Sequence, residues 1–228
     1  MTTKKSEQQA RATVKVPKVR NFEVTGDGTA SAWKKAPWLA LQKVGGKTEY
    51  QTRAKIVYSA TGLYVLFECE DDHLTCSGKL GDMGNLFTED VVEFFVWPNE
   101  EHPVYFEYEI SPLNKELVIL VPNHKGNFFG WLPWHYHKEE RRTRHATKVF
   151  GGAKKPGAKV AGWSAEFFVP FELITSLGNV PPKKGTQWRA NFYRIDYDKK
   201  SKTQYAWEPA LQPNGNFHDY ESFGILKF

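Results

Sequence analysis

Alternation of apolar and polar residues with a period of two runs through most of this chain, and it predicts strands rather than helices. In DVVEFFVW (90–97), Val92, Phe94 and Val96 form a wholly apolar face, while Val91, Glu93, Phe95 and Trp97 point the other way. In VYFEYEIS (104–111), Val104, Phe106, Tyr108 and Ile110 form the core face and leave Tyr105, Glu107, Glu109 and Ser111 opposite. The segment 186–196 repeats the scheme, with Trp188, Ala190 and Phe192 inward and Arg189, Asn191 and Tyr193 outward. Further strands are predicted at 53–59, 62–70, 115–121, 145–150, 158–169, 203–208 and 222–228, bounded by turn residues. FELITSLG at 171–178 is the one helical candidate, a turn or two long with Gly178 as its stop. About ten strands and one short helix predict an all-β fold, an antiparallel two-sheet β-sandwich.

Composition fits a single domain. Of 228 residues, 40% are apolar and 15% aromatic, enough for a substantial core without help from disulfides or metals. Residues 1–16 are polar and poor in aromatics and read as a flexible arm, leaving 17–228 as the domain. The first residues carry basic groups but no apolar stretch, so no secretory signal is expected. No apolar run approaches the ~18 residues of a membrane span. The net charge of +5 comes from residues spread thinly, apart from the head and KEERRTR at 138–144. A nucleic-acid surface concentrates its basic groups on one face, so that partner is not expected.

If the three alternating strands share a sheet, one surface carries Glu93, Glu107, Glu109, Arg189, Asn191 and Tyr193. Glu and Asn are poor strand formers, and placing several of them among aromatics suggests another task. The closing stretch, WRANFYRIDY through AWEP to NGNFHDYESFGILKF, likewise sets Asn, His and aromatic residues in a loop between strands. A sugar presents an apolar patch of C–H groups and a ring of hydroxyls; aromatic faces suit the first, and carboxylates and amides the second. Trp33, Trp38, Trp163 and Trp188 read as core, and Arg194, on an apolar strand face, needs a partner such as Asp196 or Glu166.

Taken in order, W-x4-W at Trp33 and Trp38, GLYVLFECEDD (62–72), TEDVVEFFVWP (88–98), VYFEYEISPLNKE (104–116), GWSAEFFVPFELI (162–174), WRANFYRID, AWEP and NFHDYESFGILKF resemble the family-nine carbohydrate-binding modules of the DOMON-like β-sandwich group. The resemblance spans roughly residues 20–228. It implies a non-catalytic carbohydrate-binding protein that recognises the ends of a polysaccharide or oligosaccharide in a slot between two aromatic rings. It also implies calcium as a structural ion that supports the loops, and it leaves open whether the chain works alone or with a glycan-degrading enzyme as a partner. Carried over by position, the rings are Phe87 and Phe217, and the hydrogen-bonding positions are Glu93, Glu107, Tyr193 and Asn214. Both rings are Trp in the best-known members, Glu107 replaces a basic residue there and Tyr193 an amide. Trp131 and Trp134, in the aromatic loop GNFFGWLPWHYHKEE, could supply the missing indole face.

Other chemistries compete. Glu93, Glu107 and Glu109 could form the paired carboxylates of a glycoside hydrolase, although no motif marks an acid and base. Met83 and His218 could be haem ligands, as in some DOMON-like domains. Glu70, Asp71 and Asp72 form an acidic turn that could suit calcium, and His135 with His137 could clasp a transition metal. Cys69, His73 and Cys76 lack the knuckle spacing of structural zinc. No metal is assigned.

Overall fold

Each alternating segment read above forms a strand. The structure is a computed structural model that describes residues 11–124, 127–136, 138–198, 201–210 and 216–228. Its strands are β1 (Thr13–Lys15), β2 (Leu39–Ala40), β3 (Gln42–Gly45), β4 (Thr52–Tyr58), β5 (Gly62–Glu70), β6 (Val91–Trp97), β7 (Val104–Ile110) and β8 (Glu116–His124). They continue with β9 (Asn127–Phe128), β10 (Leu132–Pro133), β11 (Arg144–Phe150), β12 (Gly162–Pro170), β13 (Gln187–Asp198), β14 (Ser201–Ala206) and β15 (Gly224–Lys227). The helix α1 is a single turn, Phe171–Ile174, followed by a 3-10 turn that ends at Gly178 with φ +73°. That left-handed backbone favours glycine, as the sequence suggested.

Two sheets face each other. The larger runs β1-β15-β13-β6-β7-β8-β10, with β14 and β3 continuing from β13 and β9 from β8; the smaller runs β11-β12-β5-β4-β2. All named pairs are antiparallel except β1 with β15. Between the sheets lies the main core, where Phe94, Phe106, Tyr108 and Phe192 meet Val65, Phe67, Trp163 and Phe167. Each large side chain removed from water there contributes about 1.5–3 kcal/mol.

The sequence assigned residues 1–16 to a flexible arm, but Thr13–Lys15 add a strand to β15, and Val14 and Val16 are buried. Two valines two apart fill one face of the added strand, an alternation too short to stand out in sequence. Residues 1–10 lie outside the described part. Trp33, Trp163 and Trp188 are buried as expected. Trp38 is only half-buried and carries the Arg53 guanidinium 4.1 Å above its ring. Arg194 is fully buried and pairs with Asp196 at 2.7 Å and Asp71 at 3.0 Å. Glu166 is not its partner; it accepts from Trp33 Nε1 and the Gly26 N–H instead.

The outer face of the larger sheet is not a wet surface. A second apolar cluster covers part of it, joining Phe95, Tyr105, Val121 and Tyr193 to Phe217 and Phe223 from the segment before β15. This segment is a lid over the sheet, and a cleft opens beside it. Among the described residues, no helix is long and apolar enough to cross a membrane.

Candidate functional site

The registers of β6, β7 and β13 bring the outward carboxyls together. Glu93 faces Glu109 across β6 and β7, and Tyr193 across β6 and β13; Glu107 follows two residues along β7 on the same face. All three glutamates are at most 3% exposed, and they floor a cleft of about 530 Å³. Phe87 stands on one side, from the 3-10 turn Leu86–Thr88 that leads into β6. Phe128 of β9 and Trp131 of the following loop stand at the β8 side, and Asn216, Phe217 and His218 come from the lid. Lys202 and Gln204 of β14 complete the boundary. Phe87, Phe128 and Trp131 are 40%, 45% and 38% exposed, so the rim is aromatic and open while the floor is acidic and closed.

The floor resists ionisation. Burial pushes Glu93, Glu107 and Glu109 well above the usual carboxylate range, and the neighbouring carboxyls push them further. Glu107 and Glu109 also hydrogen-bond to each other, which requires a proton on one of them. Lys202 is the base whose charge acts on Glu93 in the opposite sense. His218 is pushed down to about 4 by burial. Its Nδ1 meets the Tyr105 hydroxyl at 2.5 Å, and its ring is stacked near Phe95 and Phe128.

The polar residues of β13 do a different job from the one the sequence suggested. Tyr193 is buried, its hydroxyl donates to the Phe217 carbonyl at 2.9 Å, and its ring stacks on Phe217 at 4.0 Å. Asn191 donates to the Tyr193 hydroxyl and to the Glu208 carbonyl, both at 2.7 Å. Arg189 donates to the Phe223 and Glu221 carbonyls, each at 2.9 Å. With Asn123, which donates to the His218 carbonyl at 2.7 Å, these side chains hold the lid by its backbone. Tyr193 is therefore a support for Phe217 and not a lining residue. Its strand position put it on the outer face, but an aromatic ring there packs under the lid and excludes water.

Of the other expected site residues, Phe87, Glu93, Glu107, Phe217 and Trp131 all line the cleft. Trp134 does not: its indole N–H donates to the Leu173 carbonyl at 2.7 Å and its ring packs against the main core. Trp134 pairs with the inner side of β8 through its backbone, whereas Trp131 falls on the outer side. Asn214 lies outside the described residues. Glu109 was legible as part of the face but not as floor, while Phe128, Lys202 and Gln204 were missed. Period two along β7 and β14 carries Glu109, Lys202 and Gln204; Phe128 depends on how an irregular loop returns to β8.

Other candidate centres are committed elsewhere. The acidic turn does not fit calcium: Asp71 binds Arg194 and the Trp163 indole, Glu70 accepts the Gln51 N–H, and Asp72 pairs with His73. Among the described residues, no group of three or more His, Cys, Asp or Glu is placed to hold a metal. Cys69 and Cys76 are buried free thiols. His135 binds Glu116, and His137 lies outside the described residues. Met83 packs among apolar residues of both clusters, so the Met83–His218 pair offers no open ligand set. A larger hollow, about 760 Å³, lies between Glu139–His145, Phe168 and Pro181. Of its basic groups, Arg144 lies over Phe168 and on the Tyr64 hydroxyl and His145 is on Asn114, and it lacks the open aromatic rim of the outer-face cleft, which is the better candidate.

Comparison with known proteins bears on the family and the fold. A family model described as carbohydrate-binding family 9 matches residues 34–228. An extracellular protein of Arthroderma benhamiae is 26% identical over 183 residues, 78% of this chain and 76% of the relative. A candidate carbohydrate-binding protein of Bacteroides uniformis superposes with a TM-score of 0.77 at 17% identity, covering 96% of this chain and 100% of its own. A family 9 carbohydrate-binding module of Caldicellulosiruptor kristjanssonii, solved with cellotriose, superposes with a TM-score of 0.65 at 16% identity. That match covers 95% of this chain and 93% of the module.

Proposed function

Because the chain belongs to carbohydrate-binding family 9, we propose that its outer-face cleft holds the end of an oligosaccharide or polysaccharide without cleaving it. The observation that carries this reading is the pairing of an acidic, buried floor with an open aromatic rim. Phe87 and Trp131 offer flat faces for the C–H patches of sugar rings, and the glutamates offer hydrogen bonds to hydroxyls. The cleft volume of about 530 Å³ falls within the range of ordinary ligand pockets. The module of Caldicellulosiruptor kristjanssonii solved with cellotriose supports a β-linked glucan as the first ligand to try.

The state of the floor supports binding without catalysis. Glycoside hydrolysis uses two carboxyls in different environments, one kept protonated and the other ionised. Here one burial environment pushes all three glutamates upward. Release of reducing sugar by the purified protein, abolished in Glu93→Gln, would overturn this part of the reading.

The test of binding is calorimetric titration with gluco-, xylo-, manno- and galacto-oligosaccharides, each intact and borohydride-reduced. Heat with intact but not reduced sugars supports recognition of the reducing end. Heat with both places recognition at the other end or along the chain. No heat with any sugar removes the assignment of the cleft.

A further inference from the structure

We propose that the cleft floor is built to take a protonated amine, so that the preferred ligand is an oligosaccharide of 2-amino sugars rather than a neutral or anionic one. This rests on the sugar-binding reading above and narrows its ligand. The argument comes from how this protein treats its buried carboxylates. Glu116 accepts from Tyr108, Thr143 and His135; Glu166 from Trp33 and the Gly26 N–H; Asp90 from the Thr75 and Tyr197 N–H groups. Asp71 and Asp196 share the Arg194 guanidinium, so that even Asp196, whose Oδ2 has no hydrogen bond, is paired with a charge.

Glu107 and Glu109 break that habit. No donor among the described residues hydrogen-bonds to Oε2 of either, His218 Nδ1 standing 3.9 Å from that of Glu107, although both side chains are almost fully buried and line the cleft. A proton shared between them is the bond available inside the protein. Such unmet acceptors are rare in native structures and point to an absent partner. A metal is a poor fit, since no metal-binding group is found among the described residues. An ammonium presents three donors in a small volume, enough to bridge two carboxylates and replace the proton between them.

The surroundings favour the same cation. Glu93 adds a third carboxyl from β6. Lys202 from β14 acts on Glu93, and His218 from the lid is held neutral near pH 7 and engaged with Tyr105. Tyr193 of β13 is occupied with the lid. The open rings of Phe87 and Trp131 also attract a cation to their faces. Anionic sugars would meet three carboxyls and one lysine. When the ammonium binds, the shared proton passes to the buffer and the two carboxylates pair with the ligand nitrogen.

The experiment is calorimetry on the whole protein with three tetramers: glucosamine, N-acetylglucosamine and glucose in β-1,4 linkage. It is run below the amine pKa and in two buffers of different ionisation enthalpy. The expected result is that the glucosamine tetramer binds at least about tenfold more tightly than the other two. Its heat should also differ between buffers by the release of protons. Glu107→Gln should abolish both the preference and the buffer dependence. Equal or weaker binding of the amine, with a neutral tetramer still bound, overturns this inference and leaves sugar binding intact. No response to any of the three, together with silence across the wider sugar panel, overturns both.

Discussion

Two groups of buried carboxyls sit within one hairpin of this protein, and they are treated in opposite ways. Glu116 opens β8 on the inner side, where Tyr108 donates at 2.8 Å, Thr143 at 3.0 and 2.8 Å, and His135 lies at 2.8 Å. Burial pushes it upward, but hydrogen bonding and charge from His145, with Thr143 and Tyr108, win and hold it at about 2. On the outer side of β7, Glu107 and Glu109 are as deeply buried, the His218 ring 3.9 Å from Glu107 is itself held neutral by burial, and the two carboxyls are driven the other way. The difference separates stability from function. A carboxylate with its partners built in ties loops to a sheet, whereas one left without them is held ready for a ligand at some expense to the fold.

Removing Glu116 should give the largest effect. Glu116→Ala strands the Tyr108 and Thr143 hydroxyls and frees the histidines, and it should destabilise the protein by about 3 kcal/mol in chemical denaturation. The pH profile checks the same point from the other side. Glu116 is lower in the folded state than its usual 4.5, so its contribution is complete above that value and is lost as pH falls toward about 2. The floor glutamates are raised, so their contribution is complete below 4.5 and is lost as pH rises through their folded values. Glu116→Gln should flatten the acid limb and Glu107→Gln the alkaline one. If Glu107→Gln steepened the alkaline limb, the two environments would not differ as described.

Binding should respond in the reverse order. Glu107→Gln should leave stability within about 1 kcal/mol, since it replaces a carboxyl that resists ionisation by a neutral group of the same shape. The same change should weaken sugar binding by about a hundredfold, because it alters the closed floor itself. Phe87→Ala removes one exposed ring, and it should weaken binding about tenfold with stability changed by less than about 0.5 kcal/mol. Phe217→Ala is not an equivalent test. That ring is stacked on Tyr193 within the second apolar cluster, and its removal should cost about 3 kcal/mol of stability.

The sandwich was legible because β6, β7 and β13 alternate over most of their length, and the alternation placed Glu93, Glu107 and Glu109 on one face once β6 and β7 share a sheet. What alternation cannot show is whether an outward face meets water, a lid or a ligand. The lid reverses the meaning of Tyr193, Asn191 and Arg189: each faces outward as read, yet spends its hydrogen bonds on the chain before β15 or after β14. Short edge strands such as β1 and β9 carry too few residues to reveal a period. Arg194 was legible as needing an acid, and Asp196 two residues away was the nearest one, whereas Asp71 required the sandwich to close.

The smallest expected effect concerns Trp131, and it sharpens the comparison most finely. This ring belongs to neither carboxyl group, but the loop that carries it is anchored by both sides of the contrast. His135 ties it to Glu116, Trp134 ties it to Leu173, and Trp131 reaches the cleft above Glu107 and Glu109. Being at the rim, Trp131 should touch sugar residues beyond the one on the floor. Trp131→Ala should then weaken a tetrasaccharide by about threefold and leave a monosaccharide unaffected, read by calorimetry on both ligands. Trp134→Ala should instead lower thermal stability, because it empties part of the core, and weaken both ligands together as the loop loosens. If the monosaccharide loses as much as the tetrasaccharide in Trp131→Ala, the ring belongs to the first subsite and the slot is narrower than the cleft suggests.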